Sequence, residues 1–312
     1  MRIAIIGSGA VGGLYGGLLA KSGQDVHFLL HSDFDHVKQH GLRVDSVAGD
    51  FHLTHPVIYR RASDMPVCDV VIVAIKSTLN ASLDQWLPPI LSDQSIVLTL
   101  QNGLDVEADV GRSLDTTRVL GGCCFLCSNK IGPGHIKHLD FGRIVFGTYV
   151  QDPLPHTVDT GHQLRQAMIE AGIDAQWTDN LAAARWRKLM WNIPFNGLSV
   201  VMDSSTDKII GDADGKALAE AIVKEVHDGA AACGVSLPHE SKDTTIKHTE
   251  QMVPYDSSMR LDDRNGREME VEAIFGNPLR AVAAVADVNQ LMPKTQMLYQ
   301  LLAHRNRNRL NS

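Results

Sequence analysis

The chain has 312 residues, 44% of them hydrophobic and 21% charged, with a formal net charge of −7. That is enough chain for two globular cores, and the acidic balance gives neither nucleic acid nor an anionic membrane the basic surface it needs. Five cysteines without framework spacing fit a reducing compartment. No apolar run approaches the ~20 residues of a membrane span. The N-terminal run is too short and glycine-broken for a secretory signal, so the cytoplasm is expected.

The first thirty residues read as strand, glycine turn, helix, strand. Apolar residues 3–6 meet Gly7-Ser8-Gly9-Ala10-Val11-Gly12, a helical pattern follows, and a second apolar run covers residues 26–30. This is the βαβ context in which G-x-G-x-x-G signals a bound dinucleotide. Gly7 permits the tight turn, Gly9 lets the backbone approach a pyrophosphate, and Gly12 lets the helix pack closely on the strand. The pyrophosphate would rest on unpaired N–H groups at the positive end of the helix dipole.

Further strands are expected at residues 70–75 and 96–100, the first of them apolar on both faces like a central strand of a parallel sheet. Runs at 119–126 and 143–149 flank the turn Gly132-Pro133-Gly134 and are expected in the distal, partly antiparallel part of the sheet. After about residue 180 the texture changes. Residues 182–192, 216–233, 268–275, 279–288 and 295–304 read as helices, and strand signals nearly vanish. The expected fold is therefore α/β: a Rossmann-type doubly wound domain over residues 1–179, then an all-helical domain over 180–312. Cofactor belongs at the carboxyl ends of the first strands, where strand order reverses, and substrate in the cleft between domains. Arg305, Arg307 and Arg309 are expected in a frayed, solvated tail.

Three places could carry chemistry. About twenty residues past the glycines, an acid usually binds the ribose hydroxyls of NAD and a basic residue accommodates the 2′-phosphate of NADP. Here the chain reads Leu30-His31-Ser32-Asp33. His31 and Ser32 could donate to a phosphate and Lys76 could add positive charge, which tilts the reading to NADP. Alternatively, Asp33 sits late and binds NAD, and Lys76 is a solvated strand-end lysine. Second, Lys188, Asn192 and Asn196 are spaced by four and share one helical face among Trp, Leu, Met, Ile and Phe. Such a stripe suits a cleft, though a solvated helix face remains the plainer reading; Pro194 implies a kink or a lost hydrogen bond nearby. Third come Ser257-Ser258 with Asp262, and the alternating Glu268, Glu270 and Glu272. Taken singly these read as helix capping and a solvated face. The CxxC of Cys124 and Cys127 lacks a helix start and a second ligand pair. His52, His55, His135 and His138 lack partners at metal spacing and read as surface or hairpin residues, so no metal is expected.

Together, the glycine turn, Ile75-Lys76, Gln101-Asn102-Gly103, Trp186-Arg187-Lys188-Leu189 with its two asparagines, Ser257-Ser258-Met259 before Asp262, and Glu270-Val271-Glu272-Ala273-Ile274 before Gly276 resemble the ketopantoate reductase (2-dehydropantoate 2-reductase) family. The resemblance spans essentially the whole chain, and the order of its pieces is more specific than any one of them. It implies Lys188 as the catalytic lysine and Glu270 as the acidic partner of the substrate hydroxyl and of that lysine. Asn102 would stand at the nicotinamide end and touch substrate, Asn192 and Asn196 would position substrate, and Ser258 would contact its carboxylate. Lys76 and His31 would lie near the adenosine phosphate of NADP, and Gly7, Ser8, Gly9, Ala10, Val11 and Gly12 would cradle the pyrophosphate. Three positions depart from the family pattern: His31 replaces a frequent Arg, and Tyr255 and Phe275 replace frequent Asn residues. Pro278 is expected to interrupt its helix.

The expected activity is NADPH-dependent reduction of ketopantoate to pantoate in pantothenate biosynthesis, by a monomer or a homodimer acting on a small 2-keto acid. The alternatives are a reductase of another 2-keto acid or small carbonyl on the same plan, or a non-catalytic NADP-binding sensor.

Overall fold

The computed structural model describes residues 1–310. Its contacts divide it into two compact units: Met1–Gln101 with Val106–Leu181, and the short segment Asn102–Asp105 with the chain from Ala182 onward.

Ten strands, all in the first unit, are described: β1 (Arg2–Ile6), β2 (Asp25–Leu29), β3 (Leu42–Ser46), β4 (Phe51–Leu53), β5 (Val57–Tyr59), β6 (Val70–Val73), β7 (Ile96–Thr99), β8 (Val119–Gly132), β9 (His135–Thr148) and β10 (Ala175–Trp177). They form one mixed sheet in the order β4-β3-β9-β8-β7-β6-β1-β2-β5, with β10 against β9. From β8 through β7, β6 and β1 to β2 all neighbours are parallel, and β8 and β9 are an antiparallel hairpin. The helices of this unit are α1 (Ala10–Lys21), α2 (Phe34–His40), α3 (Leu83–Trp86), α4 (Glu107–Val110) and α5 (Pro155–Glu170).

The central strands are apolar on both faces because helices cover both. Ile3 and Ile5 join a core with Leu14 and Leu19 of α1 and Leu164 of α5. Ala4 and Ile6, pointing the other way, join Leu83 of α3 and Val110 of α4. The period of two thus splits one strand between two cores. Strand β1 has β2 on one side and β6 on the other, and the chain reverses direction across the sheet there. The carboxyl ends of β1 and β6 are where open α/β sheets take ligands.

The second unit is helical: α6 (Leu181–Val201), α7 (Thr206–Gly211), α8 (Ala213–Ala232), α9 (Ser241–Gln251), α10 (Ser258–Arg264), a π-turn over Glu272–Gly276, α11 (Asn277–Ala283), α12 (Val288–Leu291) and α13 (Pro293–Leu310). Its core joins Leu189, Ile193, Val223, Val226, Ile274 and Leu298. Among the described residues no helix is long and apolar enough to cross a membrane.

Several sequence expectations need correction. Strands β3, β4, β5 and β10, three to five residues each, were not anticipated. All four are short and partly exposed, and they borrow their pairing from neighbouring strands. Each arm of the β8–β9 hairpin runs 14 residues, well past the expected 119–126 and 143–149. Helix α6 runs past the expected end at residue 192 to Val201, with Pro194 inside it, where the ring nitrogen has no N–H to give to the ladder. Residues 267–270 are not helical; the helix opens after Glu270 with a π-turn. Pro278 does not interrupt its helix but sits at the start of α11, directly behind the π-turn that runs into it. The expected 279–288 helix ends at Ala283. The C-terminal arginines are not all a frayed tail. Arg305 binds the buried Asp263 with two nitrogens at 2.7 Å, and Arg309 Nε reaches the same carboxylate at 2.7 Å. Only Arg307 of the three is exposed.

Candidate active site

The glycine turn is a close fit of backbone on backbone. Gly7 leaves β1 at φ 95°, and a Cβ there would lie 2.7 Å from Ile75 Cγ2 and 2.9 Å from Ile75 N. A Cβ on Gly12 would stand 1.9 Å from the Gly7 carbonyl oxygen and 3.1 Å from Ile5 Cγ2. Both glycines are therefore demanded by packing. Gly9 is different. It caps α1 with extended backbone, and nothing lies within 4 Å of where its Cβ would be. The first turn of α1 carries no acidic side chain to occupy its positive end, and Ser8, Gly9, Ala10 and Val11 are half-buried there. These residues fit a dinucleotide pyrophosphate.

The segment Ile75-Lys76 is held against this turn. The buried Gln101 donates from Nε2 to the Ile75 carbonyl at 3.0 Å and to Asn80 Oδ1, while its Oε1 accepts from Thr99 Oγ1 at 2.9 Å. Asn80 donates in turn to Asp109 at 2.7 Å. Lys76, partly buried, leads straight into a 3₁₀ turn over Ser77–Ser82. Beyond β2, His31 and Ser32 are exposed. Asp33 is buried, and its two oxygens are taken by Lys130 Nζ at 2.6 Å and by the Gly134 N–H at 2.9 Å, both in the β8–β9 hairpin. Burial alone would raise its pKa, but the Gly134 and Lys130 hydrogen bonds and the Lys130 charge overcome it and hold the carboxyl below the usual range. Asp33 is thus a tie inside the first unit, and its Oδ1 also accepts from Ser32 Oγ at 3.2 Å.

In the second unit, α6 carries Lys188, Asn192 and Asn196 on one stripe. Lys188 is partly buried, and the two asparagines are 3% and 2% exposed. Asn192 Nδ2 and Asn196 Oδ1 are buried without a hydrogen-bond partner. Two such atoms on one stripe are costly in a finished core, by roughly 1–3 kcal/mol each, and this removes the reading of a solvated helix face. The next turn anchors α10. Ser199 Oγ donates to the Asn196 carbonyl at 3.0 Å and shares a 2.6 Å hydrogen bond with Ser257 Oγ. Ser257 caps α10 by accepting from the Arg260 N–H at 3.2 Å, and Ser258 is the first residue of that helix. Asn196 and Ser258 are thereby linked through two buried hydroxyls. Sequence reading took Ser257 as a cap and passed over Ser199, whose only sign is its i+3 spacing from Asn196.

Of the three alternating glutamates, Glu268 and Glu272 are exposed, and Glu270 is 5% exposed. Its carbonyl accepts from Ile274 N at 3.1 Å, opening the π-turn. The loop Asn102–Asp105 belongs to this same unit: Leu104 N donates to the Ala273 carbonyl at 2.9 Å, and Asn277 Nδ2 donates to the Leu104 carbonyl at 2.7 Å. Phe275 is fully buried in the helical core; a Cβ on Gly197 would meet its ring at 3.1 Å. Tyr255 is 7% exposed, its ring 6.4 Å from that of Trp191.

Cys127 is buried, and His135 and His138 are engaged, inside the first unit. Burial pushes the Cys127 thiol up to about 12, so it holds no reactive thiolate at neutral pH. His135 pairs with Asp45 at 2.8 Å, and His138 is buried between Ser46 and the Phe141 carbonyl. Among the described residues no group of three or more His, Cys, Asp or Glu is arranged to hold a metal. A hollow of about 320 Å³ beside Tyr255 contains Arg260 and Arg264, both already paired with Asp203.

Comparison with known proteins decides the family. The sequence model described as "Ketopantoate reductase PanE/ApbA" matches residues 3–151, and "Ketopantoate reductase PanE/ApbA C terminal" matches residues 180–306. The chain belongs to the ketopantoate reductase family. It is therefore an oxidoreductase of that family. A protein of Nostoc sp. named 2-dehydropantoate 2-reductase is 44% identical over 96% of this chain and 94% of its own length. The crystal structure of 2-dehydropantoate 2-reductase from Geobacter metallireducens superposes with a TM-score of 0.91 at 37% identity, covering 97% of this chain and 99% of that one. The one from Methylococcus capsulatus gives 0.85 at 31%, covering 99% and 98%. At Tyr255 and Phe275, the two positions in this unit expected to depart from the family pattern, both side chains are buried.

Proposed function

We propose that this ketopantoate reductase reduces the C2 carbonyl of 2-dehydropantoate to the hydroxyl of pantoate, with NADPH as reductant, in pantothenate biosynthesis. The observation that carries the reading is the α6 stripe, where Asn192 Nδ2 and Asn196 Oδ1 are buried without partners beside Lys188 and tied to Ser258. A polar substrate supplies the missing partners. NADPH is favoured over NADH because Asp33 is engaged by Lys130 and Gly134, while His31 and Ser32 are exposed and Lys76 brings positive charge.

Residues 7–12, His31, Lys76 and Asn102 would hold the cofactor, which when bound would supply a hydride for the carbonyl carbon. The chain's own task is the negative charge that grows on the carbonyl oxygen. An alkoxide is far more basic than an amine, so a protonated lysine, with a reference pKa of about 10.4, is a competent donor at neutral pH. Lys188 is assigned that proton: its Nζ polarises the oxygen, then transfers the proton to it. Glu270, buried ahead of the π-turn, keeps that ammonium charged and aimed; a charge so buried needs a cation beside it. Asn192 and Asn196 orient the substrate, Ser258 binds its carboxylate, and Asn102 touches both substrate and nicotinamide.

Following NADPH absorbance with ketopantoate tests this directly. The expected result is turnover that is at least ~10-fold weaker with NADH, and a Lys188→Ala enzyme that binds NADPH yet loses at least ~100-fold in kcat, the low end of general-acid contributions. A near-normal rate for Lys188→Ala would sink the role given to the lysine. Tyr255, buried against Trp191 where the family often has Asn, favours a second reading in which another 2-keto acid is preferred; a panel of keto acids separates the two.

A further inference from the structure

We infer that Asn277 is a positioning residue, a clasp that fixes the loop carrying Asn102. The inference rests on the role proposed above for Asn102.

The loop has a shape that its residues must permit. Gly103 has φ 113°, which glycine adopts without strain, and Asp105 has φ 58°, in the left-handed region that most side chains disfavour. Such a shape persists only where its surroundings fix it. A Cβ on Gly103 would lie 2.5 Å from the Ala273 carbonyl oxygen, so the loop is pressed directly onto the π-turn.

The π-turn makes the docking point. The Asn277 N–H bonds to the Glu272 carbonyl, five residues back. By the same spacing the Ala273 carbonyl would look to residue 278, which is a proline and has no N–H. That carbonyl is filled instead by the Leu104 N–H at 2.9 Å. The other side of the Leu104 residue is held by Asn277, whose Nδ2 donates to the Leu104 carbonyl at 2.7 Å. Pro278 therefore opens an acceptor, and Asn277 supplies a donor, one residue apart.

The Asn277 amide is also fixed in orientation. Its Oδ1 accepts from Arg280 Nη2 at 2.6 Å; Arg280 Nη1 donates to Glu272 Oε2 at 2.8 Å, and Tyr299 Oη donates to Glu272 Oε1 at 2.8 Å. A guanidinium only donates and a carbonyl only accepts, so the network assigns oxygen toward Arg280 and nitrogen toward Leu104. The loop that begins at Asn102 is thereby tied to the same turn that follows Glu270. Small misplacements of positioning groups are enough to slow a reaction.

Two variants test the clasp: Asn277→Ala, and Asn277→Asp, which keeps an oxygen for Arg280 but turns a second oxygen on the Leu104 carbonyl. Hydrogen exchange of the peptide covering residues 102–105 is expected to speed up by about 10-fold in both, and the urea midpoint to fall only slightly, as for the loss of one hydrogen bond. With NADPH and ketopantoate, kcat is expected to fall by roughly 3- to 10-fold and KM for NADPH to change less than about 2-fold. Unchanged exchange at residues 102–105 in the Asp variant overturns the clasp. Faster exchange with wild-type kcat overturns its positioning role. Should the unmodified enzyme fail to turn over ketopantoate, the proposed function falls, while exchange at residues 102–105 still decides the clasp.

Discussion

The turn after β1 and the stripe on α6 are built from opposite materials. The turn is backbone: Gly7 and Gly12 leave no room for a side chain, and Gly9 faces open space. The stripe is side chain: Lys188, Asn192 and Asn196 are placed by a helix, and two of their buried polar atoms lack partners. A backbone site is local, complete within a dozen residues, and costs stability if altered. A side-chain site draws on residues as far apart in the chain as Lys188 and Glu270 and holds polar groups that the fold itself does not need. The first should therefore be fragile to mutation in both folding and binding, and the second only in activity.

The largest expected effect separates two glycines of the same turn. Gly12→Ala drives a Cβ to 1.9 Å from the Gly7 carbonyl, where neither partner is a flexible side chain. We expect a loss of about 3 kcal/mol in urea unfolding together with weaker NADPH binding. Gly9→Ala meets nothing in the protein, so stability should stay within ~0.5 kcal/mol while NADPH affinity, read by fluorescence titration, falls. Equal behaviour of the two variants would break the division between packing glycine and ligand-facing glycine. On the stripe the expectation reverses. Asn192→Leu removes a buried amide whose nitrogen has no partner, so the fold should be unchanged or stabilised by up to ~1 kcal/mol, whereas kcat/KM for ketopantoate should drop roughly 10- to 100-fold. A variant that is both destabilised and fully active would make Asn192 a core residue and nothing more.

What could be read in the sequence follows the same line. The βαβ unit was legible because its signal is local: apolar period, glycine spacing and helix follow one another without gaps. The short strands β3, β4 and β5 were not, because three to five half-exposed residues form a strand only when a neighbour supplies the ladder. Lys188, Asn192 and Asn196 could be grouped by their spacing of four, but spacing does not say whether a stripe faces water or a site. Burial of the two amides decides that. Glu270 could not be told from Glu268 and Glu272 by pattern, since the expected helix begins later, with a π-turn that only tertiary packing explains. The Ser199–Ser257 link and the Asn277 clasp join residues 58 and 173 positions apart, and nothing in either segment announces the other.

Asp33 sharpens the comparison most finely, because it lies near the cofactor end yet acts through side chains. A late acid after β2 invites assignment to a ribose, but Lys130 and the Gly134 N–H already occupy both oxygens. Asp33→Asn should therefore leave the ratio of NADPH to NADH activity unchanged and cost stability instead, by about 1 kcal/mol at neutral pH for the weakened charge-assisted bonds. The sign of the pH dependence follows from the depressed pKa. The folded protein binds the proton less readily than the unfolded chain, whose aspartates titrate near about 3.9. The stabilisation is complete above that value and is lost as pH falls through the lower folded pKa. Urea midpoints of the two proteins should differ by a constant amount from neutral pH down to mildly acidic pH, then converge as the carboxyl is protonated. A gap that widens on acidification would place the contribution of Asp33 in its shape. A shift of cofactor preference toward either nucleotide would return the carboxylate to the ribose.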